Sequence, residues 1–173
     1  NWLAGMQSKN GGFAAFDINN TYHCQNEIPF ADHGALIDPP TSDVTARCIG
    51  FLGKYGKQAH QNAVYRGVSF LLREQEANGA WFGRWGTNYI YGTWSVLEAM
   101  QLAKQDMKHT AVRRAVQWLK SVQREDGGWG ESNDSYLDPK LAELETSTAF
   151  QTAWALLGLM AAGEVKSESV RRG

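Results

Sequence analysis

The sequence predicts an all-α fold with its helices in two layers, because it combines a repeated turn motif with an alternation between two kinds of helix. The chain has 173 residues, 43% of them hydrophobic and 12% aromatic, and a formal net charge of −1. A chain of this length can bury a sizeable core. Its near-neutral charge, without a run of lysine or arginine, offers no electrostatic attraction for nucleic acid, so no nucleic-acid partner is expected.

The turn motif is a glutamine followed by a glycine four residues later and an aromatic residue two positions beyond it. It occurs three times, at Gln7, Gly11 and Phe13, at Gln75, Gly79 and Trp81, and at Gln123, Gly127 and Trp129. The residues upstream of the second copy also match those upstream of the third, at one constant spacing along the chain. Repetition at a fixed period is the signature of a repeat architecture.

Two kinds of helix alternate around these motifs. Before the second motif, Val64, Val68 and Leu71 recur at helical spacing with charged residues between them, which indicates an amphipathic helix. After the third motif, Gln151–Leu159 is apolar nearly all round and therefore predicts a buried helix. The alternation predicts an incomplete α/α toroid of the α6–α6 barrel type, with about three helix-hairpin repeats, buried helices inside and charged helices outside.

Each motif has a local structural interpretation. The glutamine should end an outer helix and donate its amide N–H groups to carbonyl groups that the helix leaves without partners. The glycine permits the left-handed conformation that often follows a helix. The aromatic ring then covers the turn and packs on the neighbouring unit. We expect all three copies to hold repeats together rather than to carry chemistry.

The two ends of the chain match interior parts of the repeat. Trp2 and Leu3 precede the first motif as Trp118 and Leu119 precede the third, and the final residues Val170–Gly173 restate Val64–Gly67. The expectation is that residues 1–173 are a piece of one α/α-barrel catalytic domain, truncated within a repeat at both ends.

Glutamine–tryptophan (QW) repeats of this kind are a hallmark of triterpene cyclases. Three longer segments resemble bacterial squalene–hopene cyclases: Ile28–Gly34, Asp38–Ala46 and Trp81–Gly92. The resemblance implies an enzyme that cyclises squalene to hopene and hopanol through a carbocation cascade, without cofactor or metal. It also implies a monotopic protein on the cytoplasmic side of a bacterial membrane, docked through parts outside this chain, and it leaves a homodimer open.

The resemblance also implies a proton donor that these residues lack. In the family, a carboxylic acid in a D-x-D-D motif protonates a terminal alkene, and no D-x-D-D occurs in this sequence. The 173 residues alone are therefore expected to be inactive.

Three aromatic residues match family positions in the active site. Trp85 is expected to stabilise early cationic charge, and Tyr91 to order the hydrogen bonds that return a proton to the acid. Phe16 matches an aromatic residue, commonly tyrosine, beside the middle rings. Aromatic faces suit this role because they stabilise cations without the reactivity of a carboxylate.

Asp43 and Arg47 lie four residues apart at the predicted start of an inner helix, so they share a face and could pair. On the residues alone, this is either an ordinary salt bridge or part of a catalytic set. The resemblance implies the second reading, with Asp43 beside the acid motif and Arg47 at a position where histidine or arginine pairs with the proton-donating carboxyl system.

Three further residues, Phe30, Asp32 and His33, match the constriction of the family's substrate channel. His33 departs from the pattern, since the usual residue is aromatic and uncharged.

Three alternatives remain open at the level of sequence. An oxidosqualene cyclase would share the fold and differ in substrate. A protein prenyltransferase would need zinc held by aspartate, cysteine and histidine, and neither Cys24 nor Cys48 has a convincing set of such neighbours. A non-catalytic toroid that binds proteins gives no reason for the aromatic run Trp85–Tyr91.

Overall fold

The computed structural model describes residues 2–29, 36–142 and 146–173, and within these ranges seven α-helices form. They are α1 (Trp2–Gly5), α2 (Ser42–Tyr55), α3 (Gln61–Arg73), α4 (Tyr89–Leu102), α5 (Thr110–Ser121), α6 (Ala149–Ala161) and α7 (Glu168–Arg172). Short 3-10 helices cover His23–Glu27, Gln58–His60, Asn133–Tyr136 and Pro139–Leu141. The strand-type pairing in the described ranges is one antiparallel bridge between Phe13 and Thr41. The all-α prediction is confirmed.

The inner layer consists of α2, α4 and α6, with α4 packed between the other two. Glycines let the backbones approach closely. A Cβ atom at Gly158 of α6 would lie 3.2 Å from the Cα atom of Trp94, and one at Gly50 of α2 would lie 3.4 Å from that of Ala99. Both neighbours belong to α4, so this helix packs closely against α6 on one side and α2 on the other.

The outer helices α3 and α5 bury one face each, as their amphipathic pattern predicts. Val64, Val68 and Leu71 of α3 are buried, as are the corresponding residues of α5. The expectation that inner helices are buried all round holds for α4 but is wrong for α2, where Phe51 is exposed, and for α6, where Phe150 and Leu157 are exposed. The reason is that α4 has inner helices on both sides, whereas α2 and α6 each pack against one inner helix, α4.

The glutamine of each turn motif joins successive outer helices, and we call this contact the glutamine clamp. The Gln75 side-chain amide donates to the carbonyl oxygen of Gly79 in its own turn and to that of Ala111 in the first turn of α5, both at 2.8 Å. The other two copies repeat the arrangement, with Gln7 bound to Gly11 and Ala63, and Gln123 bound to Gly127 and Ser169.

An arginine from the next outer helix closes each clamp. The Arg114 guanidinium donates to the carbonyl oxygens of Glu76 and Ala77, at 3.0 and 2.7 Å. Gly79 has a φ of +98°, and a Cβ atom there would lie 2.9 Å from the Arg114 carbonyl oxygen. Glycine therefore gives both the left-handed turn and the close approach. The same contacts recur for Arg66 on Ser8 and Lys9, and for Arg172 on Arg124 and Glu125.

The aromatic residue of the motif ties the clamp to the inner layer. Trp81 is fully buried, its backbone N–H donates to the Thr93 hydroxyl of α4 at 3.0 Å, and its indole N–H donates to the Leu71 carbonyl at 2.6 Å. Trp129 makes the equivalent bonds to Thr152 and Leu119. Phe13 keeps the bond from its backbone N–H to the hydroxyl of Thr45. Each motif thus fixes an outer helix, the next outer helix and an inner helix together.

Replacing Gln75 with alanine should lower the free energy of unfolding by about 1–3 kcal/mol, because two half-buried carbonyl groups lose their donor. Gln101→Ala, at an exposed glutamine of α4, is the matched control and should leave the unfolding midpoint almost unchanged. Thermal and denaturant unfolding would measure both. Equal shifts for the two variants would contradict a joining role for the Gln75 amide.

Candidate functional site

The segment between the second turn motif and α4, residues 82–88, is here called the aromatic loop. Asp43, in the first turn of α2, holds it by its backbone. One carboxylate oxygen of Asp43 accepts the Trp85 backbone N–H at 2.8 Å. The other accepts the Thr41 hydroxyl at 2.6 Å and the Val44 N–H at 3.0 Å. Asp43 is fully buried, so these charge-assisted bonds compensate the burial of its carboxylate.

A second aspartate anchors the neighbouring residue of the loop. The Arg84 guanidinium donates to one Asp38 oxygen at 2.6 Å, and the other oxygen accepts the Ala15 backbone N–H at 3.0 Å. Asp38 is buried and Arg84 is mostly so. The aromatic loop is therefore tied both to α2 and to the segment that carries Phe16.

Trp85 and Phe16 come together, although 69 positions separate them in the chain. Their ring centroids lie 6.1 Å apart in an edge-to-face arrangement. The Trp85 side chain is 53% exposed and that of Phe16 is 67% exposed. Two open aromatic rings therefore stand on a loop whose backbone is fixed. Such faces can stabilise a cation that approaches them.

Tyr91, in the first turn of α4, joins a larger aromatic cluster. Its ring lies 5.1 Å from that of Trp154 and 5.9 Å from that of Trp94, and these two tryptophans stack at 5.8 Å. A Cβ atom at Gly83 or Gly86 would lie less than 3 Å from the Tyr91 ring, so the aromatic loop rests directly on this tyrosine. The sequence predicted a buried helix around Trp154, and no pattern in it indicated that Trp94 and Trp154 contact Tyr91.

The suggested salt bridge between Asp43 and Arg47 is wrong. The Arg47 guanidinium instead lies 3.9 Å from the Glu98 carboxylate and stacks 4.5 Å above the ring of Trp94. The physical reason is that donors already occupy both oxygens of buried Asp43. Arg47 lies one turn further along α2 and is half exposed, so its long side chain reaches α4.

Tyr136 is a second residue that sequence reasoning missed. Its hydroxyl donates to the carbonyl oxygens of Gly83 and Gly86, at 2.9 and 2.8 Å. Burial, together with the negative charges of Asp43 and Glu131, raises the pKa of Tyr136 to about 12. The phenol therefore stays protonated and keeps donating throughout the neutral range. It ends the short 3-10 helix Asn133–Tyr136, which carries no recognisable catalytic motif, so no sequence pattern indicates its contact with the loop.

Not every residue that the sequence singles out has a described position. Phe30, Asp32 and His33, assigned to the substrate channel, fall outside the described residues. Within the described ranges, no group of three or more histidine, cysteine, aspartate or glutamate side chains could hold a metal ion. A cavity of about 590 Å³ lies between Trp118, at the end of α5, and Glu131, and Asp43, Arg47, Trp85 and Tyr91 are not among its lining residues.

Comparison with known proteins identifies the family of this chain. The family model for the squalene–hopene cyclase C-terminal domain matches residues 1–173. The squalene–hopene cyclase of Zymomonas mobilis is 57% identical over 173 residues, which cover 99% of this chain and 26% of the relative. A probable squalene–hopene cyclase of Sinorhizobium fredii is 56% identical, over 99% of this chain and 27% of the relative. The chain thus spans about a quarter of these relatives' length.

A solved structure extends the agreement to the fold. The ent-copalyl diphosphate synthase of Streptomyces platensis has a TM-score of 0.70 and 20% identity, over 98% of this chain and 28% of that one. At this identity the likeness concerns the fold, and it confirms the α/α toroid predicted from the two helix types. Because the family model matches all 173 residues of this chain, the chain belongs to the squalene–hopene cyclase family.

Proposed function

We propose that the complete protein cyclises squalene to hopene and hopanol through a carbocation cascade started by protonation. Family membership supports the substrate and reaction class. The observation that carries the proposal is the pair of open rings, Trp85 and Phe16, on a loop that buried Asp43 holds by its backbone. The D-x-D-D proton donor is not among these 173 residues. We therefore expect this chain alone to give no product.

In the proposed mechanism, the aromatic residues act on developing positive charge. The growing cation passes Trp85 early and Phe16 near the middle rings, and each π face lowers its energy without adding to it covalently. Tyr91 orders the hydrogen bonds that return a proton to the acid. A preorganised surface is effective because it needs no rearrangement when charge develops.

Asp43 and Arg47 have separate parts in this proposal. Asp43 serves the proton-donating set and fixes the Trp85 backbone. Arg47 remains a permanent cation, because guanidinium does not lose its proton near neutrality. Its position between Glu98 and the Trp94 ring places that charge beside the aromatic cluster. Phe30, Asp32 and His33 are proposed to form the substrate constriction.

Membrane association belongs to the same proposal. Within the described residues, no helix has both the length and the apolar character needed to span a bilayer. We propose monotopic docking of the complete enzyme on the cytoplasmic face, through elements outside this chain, with squalene entering from the lipid. Homodimerisation is an accompanying hypothesis, which the mass of the purified enzyme would test.

The function is tested by incubating the full-length enzyme with squalene or oxidosqualene and identifying the products by mass spectrometry. Hopene and hopanol should form from squalene, also after chelator treatment, because no metal takes part. Conversion of oxidosqualene alone would favour the alternative cyclase. Activity abolished by the chelator and restored by zinc would favour prenyltransferase-type chemistry. The 173 residues alone should give no cyclic product above a blank.

In the full-length enzyme, Trp85→Ala should slow cyclisation about two- to thirtyfold, which corresponds to the loss of about 0.5–2 kcal/mol of cation–π stabilisation. Its melting temperature should change little, because the ring is half exposed. Trp129→Ala is the matched control and should mainly destabilise the fold, since that ring is fully buried. Turnover per folded enzyme and melting temperature would be measured together. The assignment is wrong if Trp85→Ala unfolds the protein while the folded remainder keeps normal turnover.

Arg47→Leu should reduce turnover far more than Arg47→His, because histidine can still carry the cation. Activity of the histidine variant should fall as pH rises through neutrality, since imidazolium loses its proton there and guanidinium does not. Glu98→Gln is the control, because it removes the ion pair and leaves the arginine in place. Turnover measured as a function of pH would distinguish the variants. Equal losses of turnover for Arg47→Leu and Glu98→Gln would mean that Arg47 acts only through its salt bridge to Glu98.

Asp43→Asn should lower turnover strongly, because the amide NH₂ group cannot accept the bonds that one of the two carboxylate oxygens takes, and the neutral amide carries no charge to support an acid. The expected structural loss is about 1.5–3 kcal/mol for a hydrogen bond to a charged group. Asp106→Asn, which removes an exposed carboxylate between α4 and α5, is the matched control. Unchanged turnover in Asp43→Asn would exclude a part for this carboxylate in the reaction.

A further inference from the structure

Glu131 is a buried carboxylate at the N-terminus of α4 that sequence analysis did not single out. Its side chain is 5% exposed and accepts three backbone N–H groups, from Asn88 at 3.2 Å and from Tyr89 and Ile90 at 3.0 Å. Among the described residues, no lysine, arginine or histidine pairs with it. The first amide groups of a helix lack partners within the helix, and a carboxylate there also interacts favourably with the helix dipole.

The carboxylate is itself held by α6. The backbone N–H of Glu131 donates to the Gln151 side-chain oxygen at 2.9 Å, and the Gln151 amide donates back to the Glu131 carbonyl at 3.0 Å. Gln151 is fully buried, and its oxygen also accepts the Thr148 hydroxyl at 2.7 Å. Glu131 therefore bridges the first turns of two inner helices, and the position of one depends on the other.

The residues that follow Glu131 also hold the aromatic loop. They come after the loop in the chain, whereas Asp38 and Asp43 come before it. Asn88 donates its side-chain amide to the Ser135 hydroxyl at 3.2 Å. Tyr136 bonds two carbonyl groups of the loop, as described above. The loop and the start of α4 are thus held both by residues that precede them in the chain and by residues that follow them. Among the residues that follow, the charged contact comes from Glu131.

We propose that Glu131 is a positioning residue that sets Tyr91 and Trp85 relative to one another and so determines how far cyclisation proceeds. Tyr91 follows directly on the capped residues Tyr89 and Ile90, and its ring lies beneath the aromatic loop. Displacement of this turn moves one aromatic face away from the path of the cation. Without this stabilisation, the cascade stops at an earlier cation, which loses a proton or captures water. The inference rests on the proposed function, which supplies the cation.

Its first test is the product ratio of Glu131→Gln in the full-length enzyme. Glutamine keeps the shape, but its NH₂ group faces N–H donors where an oxygen had accepted. The ratio of incompletely cyclised to complete product should rise at least about tenfold, which is the lower end of what losing one hydrogen bond to a charged group implies. Val112→Ala, in the core of α5 and away from the loop, is the control for lost stability and should keep the wild-type ratio. Equal ratios in Glu131→Gln and the wild type, or the same rise in Val112→Ala, would overturn the proposal.

Tyr136→Phe keeps the test decisive if Glu131→Gln fails to fold. It removes only the hydroxyl that binds Gly83 and Gly86, and it should move the product ratio in the same direction by a smaller factor. A wild-type ratio in this variant, with Glu131→Gln unfolded, would count against positioning by the segment after Glu131.

Amide hydrogen exchange separates this inference from the proposed function. In Glu131→Gln, residues 83–91 should exchange faster than in the wild type, while in Val112→Ala they should not. If the wild-type enzyme makes no cyclic product from squalene, the proposed function fails, and the exchange result alone decides the positioning role. Unchanged exchange over residues 83–91 would refute that role whatever the activity.

Discussion

The rest of the structure depends on the side-chain amide at the end of each outer helix. Because the Gln75 amide satisfies one carbonyl in its own turn and one in the next outer helix, it fixes the distance between successive hairpins. The arginine that returns from the next helix, and the glycine that admits it, leave little freedom at the joint. Inner helices can then pack backbone to backbone, since the outer layer sets their spacing.

This spacing creates the candidate site. The aromatic loop leaves the turn at buried Trp81 and enters α4 within a few residues, so it cannot move far from the clamp. Asp38 and Asp43 reach it from the preceding hairpin, and residues 131–136 reach it from the following one. Three consecutive hairpins therefore contact one short loop, and the conformation of that loop depends on how the hairpins stack.

The sequence predicted those parts of the molecule that repeat or that depend on nearby residues. The two helix types and the turn motif follow from periodicity, and α4 is buried as its composition requires. Arg47 shows where this reasoning ends, because spacing within α2 allowed a bond to Asp43 while the fold offered Glu98 and Trp94. Glu131 shows it more clearly, since its partners are backbone amides more than forty positions away, and no side-chain pattern encodes them.

In the cascade we propose, the carboxylates around the aromatic loop can lie close to a carbocation because hydrogen bonds already occupy their oxygens. Asp38, Asp43 and Glu131 all direct their oxygens at backbone N–H groups, a hydroxyl or Arg84. An oxygen occupied in this way is a poor base and a poor nucleophile, because proton abstraction or attack would first break hydrogen bonds in a buried place. The charge holds the loop, and the rings of Trp85 and Phe16 on and beside it remain exposed. In the cascade we propose, the same residues that make the loop rigid therefore also keep reactive oxygen away from the cation.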